Sequence, residues 1–331
     1  MSTIYLNQYG TEVSKDGGKI VIRTMDGKVQ YIPSSYANCF VVMTSVQITY
    51  AVIMEVLSNG GCILYLEKDG RILGELGARF GRPRNLVRQL SCYMDPVKRQ
   101  YLASIFVKKK LQCERNFLSI RYKSNKNQLL KTSISKISGL IKVVDSKRSI
   151  ETLMGVEGVG AKTYFDTFPI LLEGSGFEWN GRKKRPAADP MNAMLNLGYA
   201  LLEKDIRREL SVVGLSECIG FLHEIDFRKD SLVYDVMEVF RTNVVDRFVF
   251  RCIGLNMIKP DDFFWENGRC LFNEETKKKF IKAYEQYVAE KTASTELSIL
   301  KQIDLEVKYL SKNLRELTSD NDDFENAREE A

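Results

Sequence analysis

The chain is almost without histidine, and it has no long apolar run. Its single imidazole, His223, is the sole candidate wherever chemistry near neutral pH requires one. No apolar stretch reaches the roughly 18 residues that span a bilayer, and the N-terminal MSTIYLNQYGTEVSKDGG lacks the apolar core of a secretory leader. These absences predict a cytoplasmic protein with no membrane association. Cysteine is sparse and unpaired in pattern: seven residues (Cys39, Cys62, Cys92, Cys113, Cys218, Cys252 and Cys270), an odd number, with no C-x-x-C. That excludes a disulfide framework and a cysteine zinc site, and leaves reduced thiols acting as small hydrophobes. There is no internal repeat.

What is present describes a folded protein that meets a polyanion. Hydrophobic residues make up 44% and charged residues 28% of 331 positions, enough to bury a core and, by length, to form two domains. The net charge of +6 is unevenly spread. The terminal TSDNDDFENAREEA holds six acids against one arginine, which leaves the rest of the chain at about +11.

Hydrophobic periodicity changes once along the chain. Residues 1–75 alternate in segments such as KIVIRTMDGKVQYIP and GCILYLEKDGRILGEL, broken at the hairpin dipeptides Asp26-Gly27 and Asp69-Gly70. Between them TYAVIMEVLSNGG predicts a short helix closed by Gly60 and Gly61. After the basic GARFGRPRNLVRQ the spacing becomes helical, over 96–118, 149–172, 190–210, 231–255 and 274–317. The expected fold is α+β: a small β-rich N-terminal domain (1–80) and a larger all-α catalytic domain (81–317). An acidic tail (318–331) is expected to be disordered.

His223 lies in IGFLHEIDFRKDSLVYDVMEVFR, beside several acids. A lone histidine next to apolar residues is more often structural than reactive, so its neighbours decide the matter. In SLVYDVMEVF, Asp235 and Glu238 are three residues apart and share a helix face with an apolar stripe, where a carboxylate needs a metal ion or an arginine to offset its desolvation. In GVEGVGAKTYF, Glu157 sits among Gly155, Gly158 and Gly160, small neighbours that would let a bulky substrate come close. Carboxylates plus one imidazole form a hard donor set suited to Mg2+ or Mn2+ and to phosphodiester chemistry, although acid-rich helix faces are commonly just solvated. In GRKKRPAADPMNAMLNLGYALL, Asp189 fits an N-cap and Pro190 the first helical position. The preceding Arg182, Lys183, Lys184 and Arg185 could hold phosphates or serve only solubility.

Taken in order, these segments resemble the CRISPR-associated endonuclease and integrase family, the first of the two near-universal Cas adaptation proteins. Glu157-Gly158 with Ala161, Tyr164 and Phe165 is similar to the family's E-G-x-x-A-x-x-Y-F. Arg182, Arg185, Pro186, Asp189, Pro190, Asn192, Ala193, Leu195 and Gly198-Tyr199 follow R-x-x-R-P-x-x-D-P-x-N-A-x-L-x-x-G-Y. Gly220-Phe221-Leu222-His223 resembles G-F-L-H, and Ser231-Leu232, Asp235, Met237-Glu238, Phe240-Arg241 and Val245-Asp246 resemble S-L-x-x-D-L-M-E-x-F-R-x-x-x-V-D. Two positions depart from the pattern. Val236 replaces leucine, and Lys110-Leu111-Gln112-Cys113-Glu114 stands where the family often has K-x-x-N-Q.

The resemblance implies metal ligands Glu157, His223 and Glu238, with Asp235 as an auxiliary acid. It implies CRISPR adaptation, in which the 3′-hydroxyl of a prespacer attacks a phosphodiester at the repeat boundary with Mg2+ or Mn2+. It implies double-stranded DNA, a homodimer and the second Cas adaptation protein as partners. Candidate phosphate contacts are the stretch from Arg79 to Arg88, including Arg82 and Arg84, then Lys108 to Lys110, and Arg182, Lys183, Lys184 and Arg185. An edge of the N-terminal sheet is the expected self-interface. As a neutral ligand, His223 would make activity fall below roughly pH 6.5. Two alternatives stay open: a transposon-type integrase of the same fold, and a non-catalytic DNA-binding scaffold.

Overall fold

The computed structural model describes residues 2–59, 61–67, 72–77, 83–146, 149–183, 186–226, 229–292 and 295–319, with backbone alone for residues 2 and 36–38. The Asp69-Gly70 turn, Gly60, Arg79, Arg82, Lys184, Arg185 and nearly all of the acidic tail lie outside the described residues. The chain divides into two compact units, Met1–Phe80 and Gly81–Ala331. Among the described residues no helix is long and apolar enough to cross a membrane.

The first unit is β-rich, as the alternating pattern predicts. Its strands are β1 (Ser2–Leu6), β2 (Thr11–Asp16), β3 (Lys19–Arg23), β4 (Val29–Pro33), β5 (Ala37–Val42), β6 (Val46–Ile48), β7 (Cys62–Leu66) and β8 (Ile72–Gly77). They form two four-stranded sheets, β1-β5-β7-β8 and β4-β3-β2-β6. The β3–β4 hairpin turns at Asp26-Gly27, where Gly27 takes the left-handed conformation (φ 82°) that side chains resist. Helix α1 (Tyr50–Ser58) buries Val52 and Val56, one turn apart, in a core with Leu6, Val13, Ile20, Ile22, Phe40, Val42 and Ile63.

The second unit is mostly helical. Helix α2 (Pro83–Met94) leads into α3 (Pro96–Asn125), 30 residues long, whose start is fixed by Asp95 accepting from the amides of Val97 and Lys98 and by Pro96 at the first position. Then come α4 (Gln128–Asp145), α5 (Ile150–Phe165) and the single turn α6 (Phe168–Leu171). Helix α7 (Pro190–Val213) opens as its sequence predicts: the Asp189 carboxylate accepts from the Asn192 amide at 2.7 Å. It is buried along almost its whole length, which makes it the unit's central helix.

The expected helix over 231–255 is interrupted. It runs as α8 (Ser231–Phe240), a wide π turn (Arg241–Asp246) and α9 (Arg247–Gly254). The expected run over 274–317 is two helices, α10 (Glu274–Ala289) and α11 (Ile299–Thr318). The unit also holds a hairpin, β9 (Phe263–Glu266) and β10 (Arg269–Phe272), which helical spacing does not predict.

Candidate active site

Helices α3, α5 and α8 meet in the second unit and bring three charged side chains together. Glu157 on α5 and Glu238 on α8 share one cation, Lys110 of α3: its ammonium donates to Glu157 Oε1 and, at 2.6 Å, to Glu238 Oε2. The other oxygen of Glu238 accepts from Arg241 Nε at 3.0 Å. The Lys110 side chain is 7% exposed, Glu238 9% and Glu157 25%, so one carboxylate is closed in and the other faces an opening. Burial alone would raise the Glu238 carboxyl, but Arg241 and Lys110 outweigh it and hold the group down at about 2.

The helices approach closely because Gly160 of α5 has no side chain: a Cβ there would lie 2.2 Å from Leu111 Cδ2 of α3. Of the three glycines around Glu157, Gly155 and Gly158 have open space beside them, consistent with access for a large substrate, while Gly160 serves packing. One turn along α3 from Lys110 lies Glu114, 1% exposed, whose Oε2 has no hydrogen-bond partner. Burial, aided by Glu157 and Glu238 and opposed by Lys110, pushes its carboxyl up to about 8.

His223 sits in the loop before α8, held from below by Asp235. The carboxylate of Asp235 accepts from the backbone amides of Phe221, Leu222 (3.0 Å) and His223 (3.1 Å), and its Oδ1 lies 2.7 Å from His223 Nδ1. Gly220 permits this, since a Cβ there would fall 2.8 Å from the Ser231 backbone and 2.9 Å from Asp235 Oδ2. Arg99 of α3 pins the same loop by donating to the Phe221 carbonyl at 3.0 Å. With Nδ1 committed to Asp235, Nε2 keeps the ring's lone pair. Burial lowers the His223 pKa, yet the bond and charge of Asp235, with Glu238 and Glu157, carry it above its ordinary 6.5.

The structure therefore separates two acids that spacing put on one face. Glu238 turns to Glu157, whereas Asp235 is fully buried and has both oxygens engaged. As the side chains stand, no three histidine, cysteine, aspartate or glutamate groups among the described residues meet closely enough to hold an ion. The Lys110 ammonium lies between the two glutamates, marking a place where positive charge is held, and the hard donors there suit a divalent cation.

Sequence reasoning missed Lys110, Glu114 and Arg241 as parts of this cluster. The signal for the first was the partial K-x-x-N-Q box. Several of the expected phosphate contacts have partners within the protein. Lys108 pairs with Asp145 and Lys109 with Glu306, both at 2.6 Å, and Lys110 is buried in the site. Arg182 donates to Asn192 Oδ1 (2.8 Å), Asn196 Oδ1 (2.7 Å) and the Lys183 carbonyl, and its guanidinium lies over the Tyr199 ring at 5.2 Å. Such a group orders the loop before α7. Lys183 is exposed.

Arg84 remains on the surface, in a basic groove between α2 and α11. The groove, about 780 Å3, is lined by Arg84, Arg88, Lys308, Lys312 and Arg315 with Pro83, Asn85 and Ser311; Lys308 also pairs with Asp304 at 2.7 Å and Lys312 with Glu316 at 3.5 Å. Deeper in the unit, Asp246 of the π turn accepts from the hydroxyls of Tyr164 (2.9 Å) and Tyr199 (2.6 Å), which joins α5, α7 and α8 behind the cluster.

The comparisons with known proteins agree with one another. The sequence profile of the family described as CRISPR associated protein Cas1 matches residues 4–286. A curated relative from Thermodesulfovibrio yellowstonii, CRISPR-associated endonuclease Cas1 1, is 30% identical over 295 residues, covering 87% of this chain and 92% of its own length. A solved Cas1 protein from Thermotoga maritima superposes with a TM-score of 0.82 at 23% identity, over 95% of this chain and 97% of its own. A casposase bound to an integration product gives 0.80 at 23% identity, over 95% and 90%. At that identity the two structures establish the fold alone.

Proposed function

Because the chain belongs to the Cas1 family of CRISPR-associated proteins, we propose that it is a divalent-metal-dependent DNA endonuclease and integrase that inserts prespacer DNA into a CRISPR array. The observation that carries this reading is the convergence of Glu157 and Glu238 on one cation, next to an imidazole oriented by a buried carboxylate.

In this reading Glu157, Glu238 and His223 would hold Mg2+ or Mn2+, with His223 Nε2 the ring nitrogen left available. When bound, the ion stabilises charge on the phosphate and lowers the pKa of the attacking oxygen. Asp235 is a positioning residue: it fixes the ring and its tautomer and does not touch the ion. Arg241 keeps one oxygen of Glu238 engaged, so the other is presented in a constant direction. The open space beside Gly155 and Gly158 lets a phosphodiester approach Glu157. The attacking group is the 3′-hydroxyl of the prespacer, and with water in its place the same site is a sequence-tolerant nuclease.

Double-stranded DNA is the substrate, and the basic groove of α2 and α11, with Lys183, supplies sequence-independent phosphate contacts. The partners are a second copy of the chain and the second Cas adaptation protein. The edge strand β8, with Leu73 61% exposed, supports a self-interface on the N-terminal unit. A casposase-type integrase shares the fold equally well, but the curated relative favours the adaptation role. Replacing Glu157 or His223 with alanine is expected to abolish joining while folding and DNA binding persist. Joining at the wild-type rate in both variants contradicts the assignment.

A further inference from the structure

The Lys110 ammonium occupies the two oxygens, Glu157 Oε1 and Glu238 Oε2, that an ion held by both glutamates would take. We propose that Lys110 is the resident counter-ion of this site, that a divalent ion binds by displacing it, and that Glu114 receives the displaced ammonium. The inference rests on the metal-binding reading above.

Two carboxylates drawn together with little water need a positive charge, or they repel each other and one takes up a proton. Lys110 supplies that charge from inside the protein, so the site is electrically satisfied before any ion arrives. A divalent ion brings more charge to the same oxygens. An ammonium left between the glutamates would be both in its way and repelled by it.

The backbone of α3 keeps Lys110 Cα in place, so the side chain must move by rotation of its own stem. A partner is at hand on the same helix. Glu114 follows Lys110 by four residues, the spacing at which helix side chains lie on one face and pair. Its Oε2 is the one carboxylate oxygen among the described residues that is buried without a hydrogen-bond partner. That oxygen faces α5, 3.5 Å from where a Cβ on Gly160 would be, in the same α3–α5 seam in which Lys110 meets Glu157. A buried carboxyl with an unpartnered oxygen is costly to keep, and a second seat for the ammonium, at which Glu114 releases its proton to solvent as Lys110 arrives, accounts for it. Arg241 remains bonded to the other oxygen of Glu238, so this carboxylate keeps its orientation while Lys110 leaves. The site thus has two arrangements: Lys110 across Glu157 and Glu238 without metal, and Lys110 on Glu114 with it.

The test measures Mn2+ binding to the full chain by calorimetry, and thermal unfolding with and without Mn2+, for wild type, Lys110→Met, Lys110→Arg, Glu114→Gln and the Lys110→Met/Glu114→Gln pair. Lys110→Met removes the competitor and is expected to tighten Mn2+ binding by about tenfold or more, with a lower Tm in the absence of metal and a larger rise on adding it. Lys110→Arg keeps the charge and is expected to bind no more tightly than wild type. Glu114→Gln is expected to weaken binding, an effect that vanishes when Lys110 is already methionine.

Equal or weaker binding by Lys110→Met, or tighter binding by Lys110→Arg, overturns the counter-ion role. If Lys110→Met does not fold, the Lys110→Arg and Glu114→Gln results still decide. An undiminished Glu114→Gln effect in the Lys110→Met background overturns the role of Glu114. If neither wild type nor Lys110→Met binds Mn2+, the metal reading itself falls, whereas equal binding by both removes this inference alone.

Discussion

At Asp235 four hydrogen bonds converge on a carboxylate with no exposed surface: three from consecutive backbone amides and one to the His223 ring. Asp235→Asn leaves the shape but cannot accept from all four donors, and it disturbs the ring's tautomer. We expect Mn2+ affinity to fall about 10- to 100-fold, the usual effect of losing a partner that orients a ligand. Calorimetry checks this, and unchanged affinity contradicts the positioning role. The same pair sets a pH window. His223 binds its proton more tightly than an ordinary histidine, and a protonated ring cannot ligate. Mn2+ affinity is therefore expected to decline as pH falls from a point above 6.5, by up to about tenfold per unit below the ring's pKa. That is earlier than an ordinary histidine would give, and an affinity flat from pH 8 to 6 contradicts it. Spacing in the sequence made Asp235, Glu238 and His223 joint candidates. It did not show their division of labour, because acceptance from loop amides leaves no trace in helix spacing.

Among the elements, the π turn between α8 and α9 is where periodicity failed most clearly. One helical pattern covers 231–255, yet a single wide turn re-aims Asp246 at Tyr164 and Tyr199. Such a turn adds a residue without changing composition, so a 3.6-residue pattern passes over it. The break between α10 and α11 and the β9–β10 hairpin were missed for a related reason: short interruptions carry too few residues to register as a change of period. The well-capped start of α7 was readable because Asp189 and Pro190 act on their own backbone. Burial raises the Asp246 carboxyl to about 6 despite the two hydroxyls and the nearby Arg182 and Arg241. Its folded-state pKa is thus above the unfolded one. Its protonated form favours the fold below about pH 4, and that contribution is lost as pH rises through 6. Relative to Asp246→Asn, wild-type stability is expected to drop by about 2 kcal/mol between pH 4 and pH 7. Denaturant unfolding of both proteins across that range measures it, and parallel profiles would count against a buried, raised Asp246.

At the scale of the whole molecule, one change of hydrophobic period near residue 80 was legible and coincides with the division of the chain into two units, and the basic body of the chain suggests the polyanion partner proposed above. Individual DNA contacts were not, since a cation in a sequence does not reveal whether it already has an acid beside it. Lys108, Lys109 and Arg182 have internal partners; Lys308 and Lys312 of α11 also pair with acids of their own helix, Asp304 and Glu316, yet with Arg315, Arg84 and Arg88 they line one groove. Reversing two of these charges, as Lys312→Glu with Arg315→Glu, is expected to weaken DNA binding uniformly across sequences and to flatten its salt dependence by a slope of roughly 2. Fluorescence anisotropy at several salt concentrations reads both, and an unaltered slope removes the groove from the DNA path. The central claim, a metal-dependent integrase centred on Glu157, His223 and Glu238, is tested most directly by strand transfer. A labelled prespacer and a repeat-containing plasmid are incubated with the protein and the second adaptation protein, with Mn2+, with Mg2+ and with chelator. The account predicts labelled plasmid joined at the repeat boundary with the divalent ions and none with chelator. A plasmid left untouched under all three conditions, or joined equally well in chelator, contradicts it.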